Sequence, residues 1–262
     1  MKRYIIPIAI LTVILGGTGW AIWKNTQNQT DTLQRVTTGQ VAGEMQSAEG
    51  LVEAKYYEDL GGGRVRCNLC PNHCILEPGQ RGLCKVRKNI DGKLYSLVYG
   101  KPVAIHLDPI EKKPFFHVLP SSKIYSLATA GCNLACKYCQ NWDIAQRFPE
   151  DVEYREMSPE EVVAEAKKVG AQGIAFTYSE PTVFYEYMLD IAKLAQKEGL
   201  KTVVIWAGFI NPEPLKELLP FIDAYKIDLK AFNNETYQTL IGGRLEPVLE
   251  TLKIIKGDPT TW

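Results

Sequence analysis

Three cysteines stand close together in the stretch TAGCNLACKYCQNW, residues 129–142. Cys132, Cys136 and Cys139 have Cys-x-x-x-Cys-x-x-Cys spacing, and Tyr138 precedes the last of them. Three is an odd number of thiols, and the span is too short for two disulfides of good geometry. A structural zinc site uses four ligands, whereas a 4Fe-4S cluster held by three thiolates keeps one iron free for a small molecule. The spacing therefore favours an open iron-sulfur site over a chance group of cysteines.

A second group of cysteines lies upstream in CNLCPNHCILEPGQRGLC, residues 67–84. Cys67, Cys70, Cys74 and Cys84 combine two tight spacings with Pro and Gly turns, a pattern typical of a metal site. Four thiols fit either zinc or a second iron-sulfur cluster. His73 could replace one ligand, although a turn histidine that faces solvent is the simpler interpretation.

Longer stretches around the first group resemble a known family. These stretches are LDPIEKKPFFHVLPSSKIYSLATAGCNLACKYCQNWDIAQ (107–146), TYSEPTVFYEY (177–187) and DAYKIDLKAF (223–232). They are similar to the radical S-adenosylmethionine (SAM) component of the AmmeMemoRadiSam system, a group related to the activating enzymes of pyruvate formate-lyase. The similarity runs from about residue 54 to the C-terminus.

The resemblance implies a cofactor chemistry for the first group. Cys132, Cys136 and Cys139 would ligate a 4Fe-4S cluster whose free iron chelates the amino and carboxylate groups of SAM. Reduction would cleave SAM into methionine and a 5'-deoxyadenosyl radical, which takes hydrogen from a substrate.

The resemblance also implies four contacts to SAM, each with a simpler alternative. Tyr138 would line the adenine pocket, or it packs as an ordinary amphipathic ring. Glu180 would accept hydrogen bonds from the SAM amino group, or it is an acid favoured by a helix dipole. Lys230, with Asp228, would lie near the SAM carboxylate, or the two form a surface ion pair.

The sequence also departs from the family pattern. Tyr178 and Ser179 stand where two glycines are usual, and WAGF (206–209) stands where the activating enzymes have Thr-Asn-Gly. Further residues belong to the family signature and have no firm role, namely Asp108, Glu111, Lys112, Lys113, Gln140, Asn141 and Trp142.

Alternating strands and helices position these residues. Strands are predicted at 123–129, 173–178, 202–207 and 225–229, and helices at about 158–170, 182–198, from Asn211-Pro212 and at 246–257. The special residues follow the strands, at the rim where barrel enzymes keep their chemistry. The expected fold class is α/β, a partial (β/α)6 radical SAM barrel preceded by a small Cys-rich metal-binding segment. Only four of six units precede Trp262, so we expect a sequence truncated at its C-terminus.

Composition limits the range of functions. The 262 residues are 45% hydrophobic, and 30 basic side chains balance 30 acidic ones. One main domain with a sizeable core is expected, and no nucleic-acid partner, because there is no net positive charge to bind phosphates. All seven cysteines lie within residues 67–139, which is unlike a disulfide framework.

Residues 4–23 are uncharged and flanked by Lys2, Arg3 and Lys24, so they are long enough to span a bilayer. A cleaved signal is the alternative, but Trp20 and Trp23 favour an anchor.

The predicted division is an anchor or signal (1–24), a flexible linker (25–53), a Cys-rich segment (54–120) and an incomplete radical SAM barrel (121–262). The flanking charges lean towards an external domain, yet SAM and low-potential donors are cytosolic. We therefore expect a membrane-anchored protein whose catalytic domain is cytoplasmic.

The resemblance leads to a radical SAM enzyme that abstracts hydrogen from a protein or small molecule. It implies a flavodoxin- or ferredoxin-type electron donor and, as partners, Memo-type and AMMECR-type proteins. Three alternatives stay open at this point: a membrane-tethered iron-sulfur electron carrier, a zinc-stabilised binding module, and an activating enzyme for a glycyl-radical protein. Glu180 and the Asp228–Lys230 pair favour the enzyme, because an electron carrier does not need them.

Overall fold

Six short strands precede the main sheet in the computed structural model, which describes residues 47–259. They form two antiparallel three-stranded sheets. The first has the order β1-β6-β5, and the second the order β2-β3-β4. Their bounds are β1 Val52–Glu53, β2 Tyr57–Gly61, β3 Arg64–Cys67, β4 Ile75–Leu76, β5 Arg87–Ile90 and β6 Lys93–Ser96.

A five-stranded sheet follows, in the order β11-β10-β9-β8-β7. Its strands are β7 Ala104–Pro109, β8 Lys123–Ala128, β9 Gly173–Phe176, β10 Lys201–Trp206 and β11 Ala224–Ile227. Strands β8 to β11 run parallel, and β7 pairs antiparallel with β8 at the edge. The carboxyl ends of the four parallel strands therefore lie along one edge of the sheet.

Helices lie between the parallel strands and after the last of them, and the longer ones bury apolar side chains. Their bounds are Trp142–Ala145, Pro159–Lys168, Tyr185–Lys197, Pro212–Leu218, Asn234–Thr236 and Leu245–Gly257, and a π-helical turn covers Tyr237–Ile241. Side chains on one face of the sheet, among them Tyr125, Phe176 and Trp206, are buried in the larger hydrophobic core. The opposite face carries small side chains such as Ala175 and is covered by Ile110 and Phe115.

The α/β class and the four parallel strands are confirmed, and local signals account for several of the elements. Ser158 and Glu161 form the expected capping box, in which each side chain bonds to the backbone N–H of the other residue. The predicted helix at 182–198 is in part wrong, because Pro181–Phe184 forms a 3-10 turn before the α-helix begins. Six parallel units and the division at residue 120 stay predictions, and β7 contributes a strand from the Cys-rich segment to the main sheet.

Asn211 stands at the N-cap of helix Pro212–Leu218 but makes no side-chain cap bond. Its amide instead donates to the Asn68 carbonyl, 2.7 Å away, in the upstream cysteine segment. Within residues 47–259 no helix is both long and apolar enough to cross a bilayer. The expected anchor at residues 4–23 and most of the linker lie outside the described residues.

Candidate active site at the carboxyl edge of the sheet

The loop that carries Cys132, Cys136 and Cys139 leaves the end of β8 and is held from several sides. Ala135 and Lys137 donate their backbone N–H groups to the carbonyls of Ile241 and Leu240, 2.8 and 2.9 Å away. The Asn133 amide donates to the Phe209 carbonyl after β10, 2.7 Å away. These bonds fix the loop against the ends of two other units.

The three thiols are half-buried and unpaired. Burial raises the pKa of the Cys132 thiol well above its usual value, and the nearby Glu180 carboxylate adds to the effect. Burial also raises the pKa of Cys136, although the charge of Lys230 opposes it. Both thiols are therefore protonated at neutral pH until a metal displaces the proton.

The donor set fits an open iron-sulfur site in its chemistry. Three soft sulfur ligands lie in one loop, and the Leu134 N–H donates to Cys132 Sγ at 3.4 Å, a contact of the kind that tunes cluster sulfurs. Among residues 47–259, no group of three or more His, Cys, Asp or Glu side chains has the arrangement of a metal site.

Glu180 is buried directly after β9, with 2% of its surface exposed. One carboxylate oxygen accepts the Thr182 hydroxyl at 2.7 Å, and the other accepts the Ala207 N–H at 3.0 Å. Burial raises the pKa of Glu180, while these hydrogen bonds and the charge of Lys230 work against it. Glu180 thus joins the ends of β9 and β10, beside Cys132.

Lys230 lies beyond the end of β11, and its ammonium nitrogen is 3.5 Å from an Asp228 oxygen. Burial acts to lower the pKa of Lys230, but the charges of Asp228, Cys136 and Glu180 outweigh it and leave the pKa raised. Lys226 also pairs with Asp228. Tyr138 is 56% exposed and lies in the electrostatic neighbourhood of Cys136 and Lys230.

Chain segments far apart in sequence thus meet at one edge of the sheet. Cys132, Cys136, Tyr138, Glu180, Asp228 and Lys230 form one group, as the positions after parallel strands predicted. Their roles towards SAM stay predictions.

A buried polar cluster beside this group was not found from the sequence. Lys113 Nζ donates to Asp108 at 2.6 Å and to the Tyr178 hydroxyl at 3.0 Å, and that hydroxyl donates to Asp108 at 2.6 Å. Asn141 of the cysteine loop donates to the Tyr178 carbonyl at 2.7 Å. Asp108, Lys113 and Asn141 were recognised as signature residues, but no local signal pairs them with Tyr178, which is 37 or more positions away from each.

The remaining signature residues lie at the surface. Glu111 accepts the Ser121 N–H at 2.6 Å, and Lys112 pairs with Asp108 while most of its side chain is exposed. Gln140 and Trp142 are also exposed.

The four upstream cysteines surround a cavity of about 20 Å³. Cys67 and Cys84 are buried, and Cys70 and Cys74 are half-buried. Burial raises the pKa of Cys84 to about 11 and also raises the pKa values of Cys70 and Cys74. His73 is exposed and its ring contacts Asn68, so the solvent-facing interpretation agrees with its position.

A mostly parallel α/β sheet with a three-thiol loop at its carboxyl edge has the arrangement of an enzyme that places its reacting groups at the ends of its strands. The profile of the Radical SAM superfamily matches residues 126–257, about half of the chain. The chain belongs to the radical SAM superfamily, whose enzymes use a 4Fe-4S cluster and SAM.

Two relatives illustrate the similarity. The uncharacterized protein MJ0808 of Methanocaldococcus jannaschii is 48% identical over 204 residues, which cover 78% of this chain and 60% of that protein. Pyruvate formate-lyase 1-activating enzyme of Escherichia coli is 31% identical over 129 residues, 48% of this chain and 52% of that enzyme. The chain thus spans between half and three fifths of the length of these curated relatives.

Solved structures show a weaker likeness. TYW1 with a lysine-pyruvate adduct bound gives a TM-score of 0.40 at 21% identity and covers 55% of either chain. QueE from Escherichia coli gives 0.39 at 11% identity and covers 61% of this chain and 78% of that one.

Proposed function

We propose that this protein cleaves SAM reductively and uses the resulting radical to abstract hydrogen from a protein or small-molecule substrate. The observation that carries the proposal is the meeting of Glu180 and Lys230 with the thiols of Cys132 and Cys136. An electron carrier needs the thiols alone, whereas a carboxylate and an ammonium beside them suit the amino and carboxylate ends of an amino acid.

Cys132, Cys136 and Cys139 would hold the 4Fe-4S cluster, which when reduced supplies the electron that splits SAM into methionine and a 5'-deoxyadenosyl radical. Glu180 would accept a hydrogen bond from the SAM ammonium with the lone pairs that Thr182 and Ala207 leave free. Lys230 would attract the SAM carboxylate, and Asp228 would orient Lys230. Tyr138, which precedes the last cysteine and is half exposed, would cover the adenine.

The wider assignment rests on the resemblance. The long motifs at residues 107–146, 177–187 and 223–232 support membership of the AmmeMemoRadiSam group, with Memo-type and AMMECR-type partners. The four parallel strands support a partial (β/α)6 barrel. The activating-enzyme relative supports a flavodoxin- or ferredoxin-type electron donor.

The test is anaerobic reconstitution of the full chain with iron and sulfide, followed by reduction and measurement of 5'-deoxyadenosine. Replacing Cys132, Cys136 and Cys139 with Ala should abolish both the cluster absorbance and the product. Unchanged 5'-deoxyadenosine release by this triple variant would overturn the assignment.

Glu180→Gln tests the role of the carboxylate without changing its shape. The Gln oxygen can still accept the Ala207 N–H and its NH2 group can donate to the Thr182 hydroxyl, so the fold should persist. Loss of a hydrogen bond to a charged group costs about 1.5–3 kcal/mol, so SAM affinity should fall about 10–100-fold in equilibrium binding. The exposed Glu198→Gln is the control, and equal affinity in both variants would contradict the role of Glu180.

Activation of a glycyl-radical protein is the second candidate, favoured by the 31% identity to pyruvate formate-lyase 1-activating enzyme. It would be recognised by a glycyl-radical signal in electron paramagnetic resonance when a candidate partner is mixed with the reduced protein and SAM.

A further inference from the structure

The cavity among the upstream cysteines is small and almost entirely lined by sulfur and apolar atoms. Its volume of about 20 Å³ is close to the roughly 10–15 Å³ that a single water needs, which suits one ion enclosed by four sulfurs. Cys74 and Cys84 face each other across Gly82. A Cβ built on Gly82 would lie 3.7 and 3.6 Å from their sulfurs, so even one added methyl group would contact both ligands.

The cavity also borders the SAM site. Asn133 of the cysteine loop and Thr182, the hydroxyl partner of Glu180, both line it. The Asn72 amide donates to the Asn133 carbonyl at 2.8 Å, and the guanidinium of Arg244 donates to the Pro71 carbonyl at 2.6 Å. The upstream cysteines therefore lie directly behind the loop that carries the other three.

Arg87 is the charged group in the cavity wall, with 1% of its surface exposed. Its Nη2 donates to both oxygens of Glu186 at 2.7 and 2.6 Å. Among the side chains in residues 47–259, the Arg87 Nε is one of the buried atoms without a hydrogen-bond partner. A buried donor left unpaired costs about 1–3 kcal/mol, and a thiolate in the same cavity would satisfy it.

We propose that Cys67, Cys70, Cys74 and Cys84 bind one zinc ion, and that Arg87 positions the site by donating its Nε–H to a zinc-bound thiolate. The zinc closes a four-sulfur coordination sphere, so the site is structural and does not react. Four thiolates around Zn²⁺ carry a net charge of −2, which a neighbouring guanidinium stabilises. Through Glu186, on helix Tyr185–Lys197, the same arginine joins the metal to the barrel. The proposal is independent of SAM cleavage.

Elemental analysis of the full chain decides which metal is bound. The Cys132, Cys136 and Cys139 triple Ala variant should keep about one zinc per chain and contain no iron. X-ray absorption at the zinc edge should show four sulfur neighbours at about 2.3 Å. Iron in the upstream site of this variant, or the absence of both metals, would overturn the zinc site. The outcome does not depend on whether the protein cleaves SAM, because this variant lacks that cluster.

The role of Arg87 is tested by removing both charges of its ion pair. The double variant Arg87→Met and Glu186→Met avoids a lone buried charge, so it should fold. Its zinc affinity, measured at 25 °C by competition with a chromogenic chelator, should be about 10–100-fold weaker. The pair Arg155–Glu165, in which Arg155 is exposed and Glu165 partly so, is replaced in the same way as the control and should keep wild-type affinity. If the Arg87 variant loses thermal stability but binds zinc as tightly as wild type, the arginine is only structural and this part is overturned.

Discussion

At the residue scale, the cluster of Asp108, Lys113 and Tyr178 fixes two loops beside the candidate active site. Tyr178 has a φ of 65°, a left-handed conformation that costs a non-glycine residue about 1–2 kcal/mol. Its hydroxyl is held by Asp108 and Lys113, and its carbonyl by Asn141 of the cysteine loop. Hydrogen bonds to its side chain and to its backbone thus hold Tyr178 in the strained conformation. Functional sites retain strained backbone conformations through surrounding contacts of this kind.

Asp108→Asn should remove stability that depends on pH. Burial would raise the pKa of Asp108, but hydrogen bonds from Lys112, Lys113 and Tyr178 outweigh it and hold the pKa well below its usual value. A depressed pKa stabilises the fold above the unfolded value of about 3.9 and loses that effect as the pH falls further. Urea unfolding should therefore show wild type about 1–3 kcal/mol more stable between pH 5 and 8, with the gap closing below about pH 4. A gap that stays constant down to pH 3 would contradict this.

At the element scale, the loop that carries Cys132, Cys136 and Cys139 depends on two neighbours, a π-helical turn and the upstream cysteine segment. The π-helical turn Tyr237–Ile241 accepts its backbone N–H groups, and π turns are common at functional sites. Gly131, at the start of the loop, has a φ of 95° and packs against the upstream segment. A Cβ built there would lie 2.5 Å from a Val86 methyl and 2.7 Å from the Cys84 carbonyl oxygen.

Gly131→Ala should therefore push apart the two cysteine segments. Gly170→Ala is the matched control, because Gly170 also has a positive φ of 71° but has open space around its Cβ position. The control should lose about 1–2 kcal/mol of unfolding free energy from backbone strain. Gly131→Ala should lose about 1–3 kcal/mol more from overpacking and take up less iron on reconstitution. Equal losses of stability and equal iron in the two variants would show that the loop tolerates the added methyl group.

At the scale of the whole molecule, side-chain bonds join the upstream segment to the helices that pack on the main sheet at several points. Glu217, at the end of helix Pro212–Leu218, receives hydrogen bonds from Lys55, Tyr56 and Tyr185. Arg87 and Glu186 form a second, buried connection. The upstream segment is short and has little core of its own, so it depends on these contacts.

Thermal unfolding of the full chain should therefore show residues 54–259 melting in one cooperative transition. Glu217→Ala should lower the midpoint of that transition without splitting it, because the remaining contacts still join the two parts. Glu213→Ala, an exposed position on the same helix, is the control and should leave the midpoint nearly unchanged. Calorimetry in which two peaks appear, or in which the calorimetric and van't Hoff enthalpies differ, would contradict a single unit.

The sequence by itself determined most of the strands and helices and named the candidate ligands, because their signals are local. The capping box at Ser158 fixes a helix start within four residues, and the spacing of Cys132, Cys136 and Cys139 fits an open site before any fold is known. The order of strands and helices also placed Glu180 and Lys230 at the same edge as these cysteines. Parallel strands bring their carboxyl ends together wherever the chain runs between them.

Only the tertiary structure decided which polar groups pair between the upstream segment and the rest of the molecule. The amide of Asn211 donates to Asn68, 143 residues away, and the Glu186 carboxylate binds Arg87, 99 residues away. The position of Asn211 at the start of a helix predicts that its side chain caps the helix, yet it makes no cap hydrogen bond. Buried polar groups of the upstream segment need hydrogen-bond partners from elsewhere in the chain. Which partners are available depends on how the sheets and helices pack, and no local sequence pattern contains that information.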